Sequence, residues 1–140
     1  MRQDASVERA ERASSIRASL MAAGALILAI SVWLQWGNAE ALRPGRLGGL
    51  WVLLVTVWTL VLATGGGLAL GSRMRALIND ELSLRNRARA VAWGFYAMLA
   101  AALGLYLLAW SSEVATGDAI RAISAAGLST ALFVYSWLER

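Results

Sequence analysis

Cysteine, histidine and lysine are all absent from this chain, and each absence removes a kind of chemistry. Without cysteine there are no disulfides, thiolate metal sites or thiol nucleophiles. Without histidine the chain lacks the commonest metal ligand and the commonest general base. All thirteen basic residues are arginine, and arginine without lysine, beside so much alanine, glycine and leucine, points to a GC-rich bacterial genome. Proline occurs once, as Pro44. Charged residues make up only 16% of the 140, against roughly 25% in an average soluble domain. Apolar residues reach 59%. A soluble protein of this size would have to wear that excess on its surface, so the composition calls for a membrane.

What is present is a series of apolar runs separated by polar breaks. Residues 1–17 form a mixed-charge leader in which Glu8 and Arg12 make a favourable i,i+4 pair, so the expectation there is either a short helix on the membrane surface or fraying of the first ten residues. Four spans follow, at about 19–36, 47–71, 91–110 and 119–138. The first is too long for the apolar core of a signal peptide and ends on Trp33 and Trp36, which suit an interfacial belt, so a retained span is expected. The second has length to tilt. The fourth carries Arg121 near one end, where snorkelling to the headgroups and a contact with Asp118 would limit its cost. The expected fold is all-α, a bundle of four transmembrane helices in a single domain.

The long polar segment 72–90 divides the spans into two hairpins. It holds Arg73, Arg75, Arg85, Arg87 and Arg89 around the acidic step Asp80-Glu81. With four arginines in the leader, five in this segment and one in the tail, ten lie on one side and three on the other. The positive-inside rule then places the N- and C-termini and the central segment in the cytoplasm, with the Ser111–Asp118 loop outside. Asn79 or Asp80 is the expected cap of a helix running through Arg85 and Arg89 into span three. The stretch Asn79 to Tyr96, NDELSLRNRARAVAWGFY, resembles the cytoplasmic turn of small multi-span bacterial inner-membrane proteins of uncharacterised function. There a D-E step and a basic helix start precede a span opening with glycine and an aromatic, as Gly94-Phe95-Tyr96 do here. The resemblance covers about eighteen residues and implies threading, not an activity.

Small residues mark the expected helix contacts. Gly67 and Gly71 form a GxxxG at the end of span two, and Gly94, Ala97, Ala101 and Gly104 recur at heptad spacing on span three. These two faces are expected to pack together, with homo-oligomer contacts as their other use. Thr56, Thr59, Ala63 and Gly67 give span two a weakly polar stripe. Six of the seven tryptophans fall near span ends; Trp58 lies mid-span, where a packing role is expected.

No Asp, Glu, Lys or His occupies the middle of any span, which argues against proton-coupled transport. Asp80-Glu81 is the one adjacent carboxylate pair, with no histidine, lysine or cysteine beside it, so no enzyme, cofactor or metal site is expected. The net charge of +4 is explained by topology and needs no nucleic acid. The expected function is a multi-pass inner-membrane protein acting through contacts, as an accessory or scaffold subunit. Arg73, Arg75, Asp80, Glu81, Arg85, Arg87 and Arg89 are the expected contact residues for anionic lipid headgroups or another membrane subunit. The alternative is a small homo-oligomeric channel or carrier built on the Thr/Gly face of span two.

Overall fold

The computed structural model describes residues 2–37, 46–64 and 81–139. Among them the chain forms four helices and no strand: α1 (Arg2–Gln35), α2 (Arg46–Thr64), α3 (Glu81–Leu108) and α4 (Thr116–Leu138). Three carry stretches long and apolar enough to cross a membrane, namely Ser15–Gln35, Leu82–Leu108 and Thr116–Leu138. The apolar part of α2, Gly49–Thr64, is shorter. The rest of the expected second span, 65–71, lies outside the described residues, as do Gly67, Gly71, Arg73, Arg75, Asn79 and Asp80.

The leader is not a separate surface helix. Residues 2–14 continue the axis of α1 without a break, giving one helix of 34 residues, about 51 Å long at 1.5 Å per residue. No glycine or proline interrupts it before Gly24, so nothing in this stretch gives the helix a reason to kink. Arg85, Arg87 and Arg89 lie on the first turns of α3, ahead of its charge-free run from Ala90.

α4 is the hub of the bundle. It packs extensively on α3 and α1 and to a lesser extent on α2, while the other helices touch one another little among the described residues. Its spanning stretch is the least apolar of the three long ones, yet 44% of that stretch is buried, against 6% for α3. That inversion has a physical cause. Lipid tails are as apolar as leucine, so burial in a membrane rewards close approach and hydrogen bonding rather than oiliness. Ala125, Gly127, Ala131 and Ser136 on α4 supply both.

The core is a thin apolar seam. Met21, Ala25 and Leu28 face it from α1, Leu62 from α2, Ala90 from α3, and Ala131, Leu132 and Tyr135 from α4. Trp58 joins the seam half-buried, with its ring over Gly24, where an added Cβ would meet ring carbons at 2.4–2.6 Å. At the α3–α4 crossing the close approach is to backbone. A Cβ on Gly94 would lie 2.6 Å from the Gly127 carbonyl oxygen and 2.9 Å from the Ala131 Cβ. The total accessible surface, 9888 Å², exceeds the roughly 7,000 Å² of a compact soluble protein of this mass. Many large aromatic and aliphatic side chains are exposed, including Trp93, Phe95, Tyr96, Leu103 and Tyr106 on α3 and Trp110 just beyond its end.

Candidate functional site

The buried polar side chains gather at the two ends of the bundle. At one end α4 closes on α1 and α3. Arg17 and Glu139 form an ion pair, and the Ser136 hydroxyl donates to the Ala18 carbonyl at 2.7 Å. The Asn86 amide donates to the Leu138 carbonyl at 3.2 Å, and the Ser83 and Tyr135 hydroxyls lie 3.1 Å apart. Beside this cluster Arg87 reaches α2 and donates to the Ala63 carbonyl at 2.7 Å. Carbonyls near a helix C-terminus have no intrahelical partner, and a guanidinium is well suited to serve them.

At the other end α4 meets α1 and α2. Gly37 adopts a positive φ of 72°, the left-handed conformation that ends helices and that glycine adopts without strain. Its N–H then points to Asp118 Oδ2 at 3.2 Å. Asp118 is only 5% exposed and stands in the first turn of α4, where the helix dipole favours a negative charge. One turn further, Arg121 is 7% exposed. Its guanidinium carbon lies 5.9 Å from the centroid of the Trp51 ring of α2, within cation–π range. The expected snorkelling of Arg121 to the headgroups is therefore corrected: the side chain turns into the bundle. The aromatic face and the enclosed position give it a counterpart there that open lipid lacks.

The two ends are separated by a membrane's depth. The stretch of α1 from Arg17 to Gln35 and that of α4 from Asp118 to Leu138 each rise about 30 Å. A bilayer's hydrocarbon core is about 30 Å thick. Between the ends the seam is Ala25, Leu28, Ala125, Leu128, Ala131 and Leu132, all apolar.

The expected site residues divide accordingly. Gly94 is buried at a helix contact, and Ala97 and Ala101 are half-buried on the same helix. The partner of Gly94 is Gly127 of α4, not span two. Gly104 is corrected: it is exposed, and an added Cβ would meet nothing within 4 Å. Arg85 and Arg89 are exposed and Arg87 half-buried, whereas Glu81 is described only as the start of α3. Sequence reasoning missed Gly24 and Gly127. Gly127 and Ala131, four residues apart on α4, form the kind of small pair that signals a contact. Among the described residues no group of three or more carboxylates is placed to hold a metal ion.

Among the described residues the chain is all-helical, with three helices long and apolar enough to cross a membrane and a shorter fourth apolar helix, as in an α-helical membrane protein. Comparison with known proteins takes the identity no further: no family model, no curated protein and no solved structure matches this chain.

Proposed function

We propose that this is a four-span protein of a bacterial inner membrane that works through contacts, as an accessory or scaffold subunit, without catalytic chemistry of its own. The observation that carries the reading is the division of labour among its helices. Polar groups are spent on tying α4 to its neighbours at the two ends, and α3 has one face committed to α4. The rest of α3, rich in Trp, Tyr, Phe and Leu, faces outward. Such a face suits lipid or a second membrane helix. Arg85 and Arg89, exposed on the first turns of α3, suit anionic headgroups or an acidic partner surface at the same end.

The arginine count supports an orientation with both termini and segment 72–90 in the cytoplasm. The channel alternative draws little support from α2. Of the stripe's two threonines, Thr59 donates its hydroxyl to the Val55 carbonyl within its own helix, which leaves it less polarity to offer a solute.

Native mass spectrometry of the protein extracted gently from its own membrane tests the proposal. A species heavier than the chain and containing another polypeptide is the expected result. A clean multiple of about 15 kDa, accompanied by solute flux in vesicles, would overturn it in favour of the channel.

A further inference from the structure

The first turns of α1 carry a charge pattern that the helix itself leaves unbalanced. α1 runs without a break from Arg2 to Gln35, and the Arg17–Glu139 pair marks where α4 ends against it. Residues 2–16 therefore extend about 22 Å beyond that point at 1.5 Å per residue. They hold three acids, Asp4, Glu8 and Glu11, and three arginines, Arg2, Arg9 and Arg12. Positions three and four apart are neighbours on a helix. By that spacing Asp4 adjoins Glu8, Glu8 adjoins Glu11, and Arg9 adjoins Arg12, while Glu8 and Arg12 make the single opposite pair. Such a layout disfavours a helix standing alone and is relieved by an outside surface of matching charge.

Both signs fall on the side of α1 turned away from α4. The buried positions Ala18, Met21, Ala25 and Leu28 share one side; Ser15, Ile16, Ser19 and Leu20 are exposed on the other. Counting back from Ser15 by fours and threes reaches Glu11, Glu8 and Asp4. Counting back from Ile16 by sevens reaches Arg9 and Arg2, and Arg12 falls between the two rows. A row of acids and a row of arginines thus run side by side. Both pass into the exposed apolar face of Leu20, Leu26, Ile27 and Ile30.

A surface that matches this face has to offer arginines to the acids and acids to the arginines at the same heights. A basic stretch such as that holding Arg73 and Arg75 meets half of the requirement. A second copy of the chain meets all of it. Two copies threaded alike through one bilayer hold their α1 helices parallel and at one depth. A two-fold axis along the membrane normal then sets each acid row opposite the other copy's arginine row. Asp4 of one copy stands level with Arg2 of the other, and Glu8 and Glu11 with Arg9 and Arg12, each within about 3 Å along the axis. We propose that the outward face of α1 is a homodimer contact, with the two helices parallel and their charge rows in register. This contact goes beyond the accessory-subunit reading and rests only on the chain spanning a bilayer. A dimer without solute flux leaves that reading standing.

The lack of cysteine makes the contact testable, because one introduced cysteine reports only its own surroundings. Ser19→Cys, at the centre of the outward face, should give a disulfide-linked species of twice the chain's 15.0 kDa when the full-length protein is oxidised in its own membrane. Reversing the acid row in that background (Asp4→Arg, Glu8→Arg and Glu11→Arg) sets arginine against arginine and should cut the yield at least about fivefold. Adding Arg2→Glu, Arg9→Glu and Arg12→Glu exchanges the two rows and should restore it. A chain that merely misfolds would not be rescued in this way. Ser112→Cys, exposed in the loop after α3, should stay monomeric. Four results would each overturn the dimer: no cross-link through Ser19→Cys, a yield indifferent to the acid-row reversal, no recovery on exchange of the rows, or equal cross-linking through Ser112→Cys. Recovery of the chain outside the membrane fraction would remove the membrane reading as well.

Discussion

Gly94 and Gly127 face each other across the α3–α4 crossing with no room for a side chain between them. A methyl group on Gly94 would sit 2.6 Å from the carbonyl oxygen of Gly127, and backbone cannot swing aside. A methyl on Gly127 would meet Met98 Cγ at 2.2 Å, but that neighbour is a flexible side chain, and the Gly94 oxygen is farther off at 3.2 Å. Gly94→Ala should therefore destabilise the bundle by about 1–3 kcal/mol, the usual cost of overpacking, and Gly127→Ala by less. Gly104→Ala, on the open side of the same helix, should be neutral or stabilising by up to about 1 kcal/mol. Thermal unfolding in one detergent would rank the three.

Gly24 and Trp58 make a similar pair between α1 and α2. The indole lies where a β-carbon would be, so Gly24→Ala should loosen α2 from the bundle. Trp58→Leu alone leaves a void and should cost about 2–4 kcal/mol. Combined with Gly24→Ala, it should cost less than the sum of the two. Strict additivity in unfolding measurements would show that the contact is not the source of either effect.

Three of the four expected spans were legible as long apolar helices, because unbroken apolar runs of about twenty residues have few other readings. The packing order was not. Ser124, Ser129, Thr130 and Ser136 add polarity to the last helix, yet three of them turn their hydroxyls to backbone carbonyls, Ser136 to that of Ala18. Pairing depends on how two surfaces match, and a heptad of small residues such as Gly94 to Gly104 says only that some helix can come close. It does not say which. Arg121 was misjudged for the same reason: its charge and its place near a span end suggested the headgroups, but Trp51, seventy residues earlier, was invisible as its counterpart.

The Arg17–Glu139 ion pair joins the first span to the end of the last, with side-chain exposures of 20% and 7%. Breaking a buried pair by removing one member costs about 3–5 kcal/mol, and partial exposure of Arg17 should hold this case near or below the lower figure. Glu139→Ala and Arg17→Leu should each lower the unfolding temperature, and the double variant should recover part of the loss. A double variant as unstable as the sum of the singles would mean that the two side chains act independently.

Tyr135 is fully buried, and its hydroxyl meets that of Ser83 on α3. Tyr135→Phe should cost about 0.5–1.5 kcal/mol, as should Ser83→Ala, with a double variant close to either single. The aromatic ring itself carries more: Tyr135→Ala should cost about 3–5 kcal/mol through the cavity it opens. Denaturant titrations of the four proteins would separate the hydroxyl from the ring.

The position of the hub along the chain sets an order of events during synthesis. α1, α2 and α3 are made first, but each finds its main neighbour only in α4, which follows them in the chain. Until Thr116 and the residues after it have been made, the earlier helices are three rods with little to hold them side by side. The bundle therefore assembles only once α4 has emerged. A message broken before Thr116 yields helices with no centre to gather on.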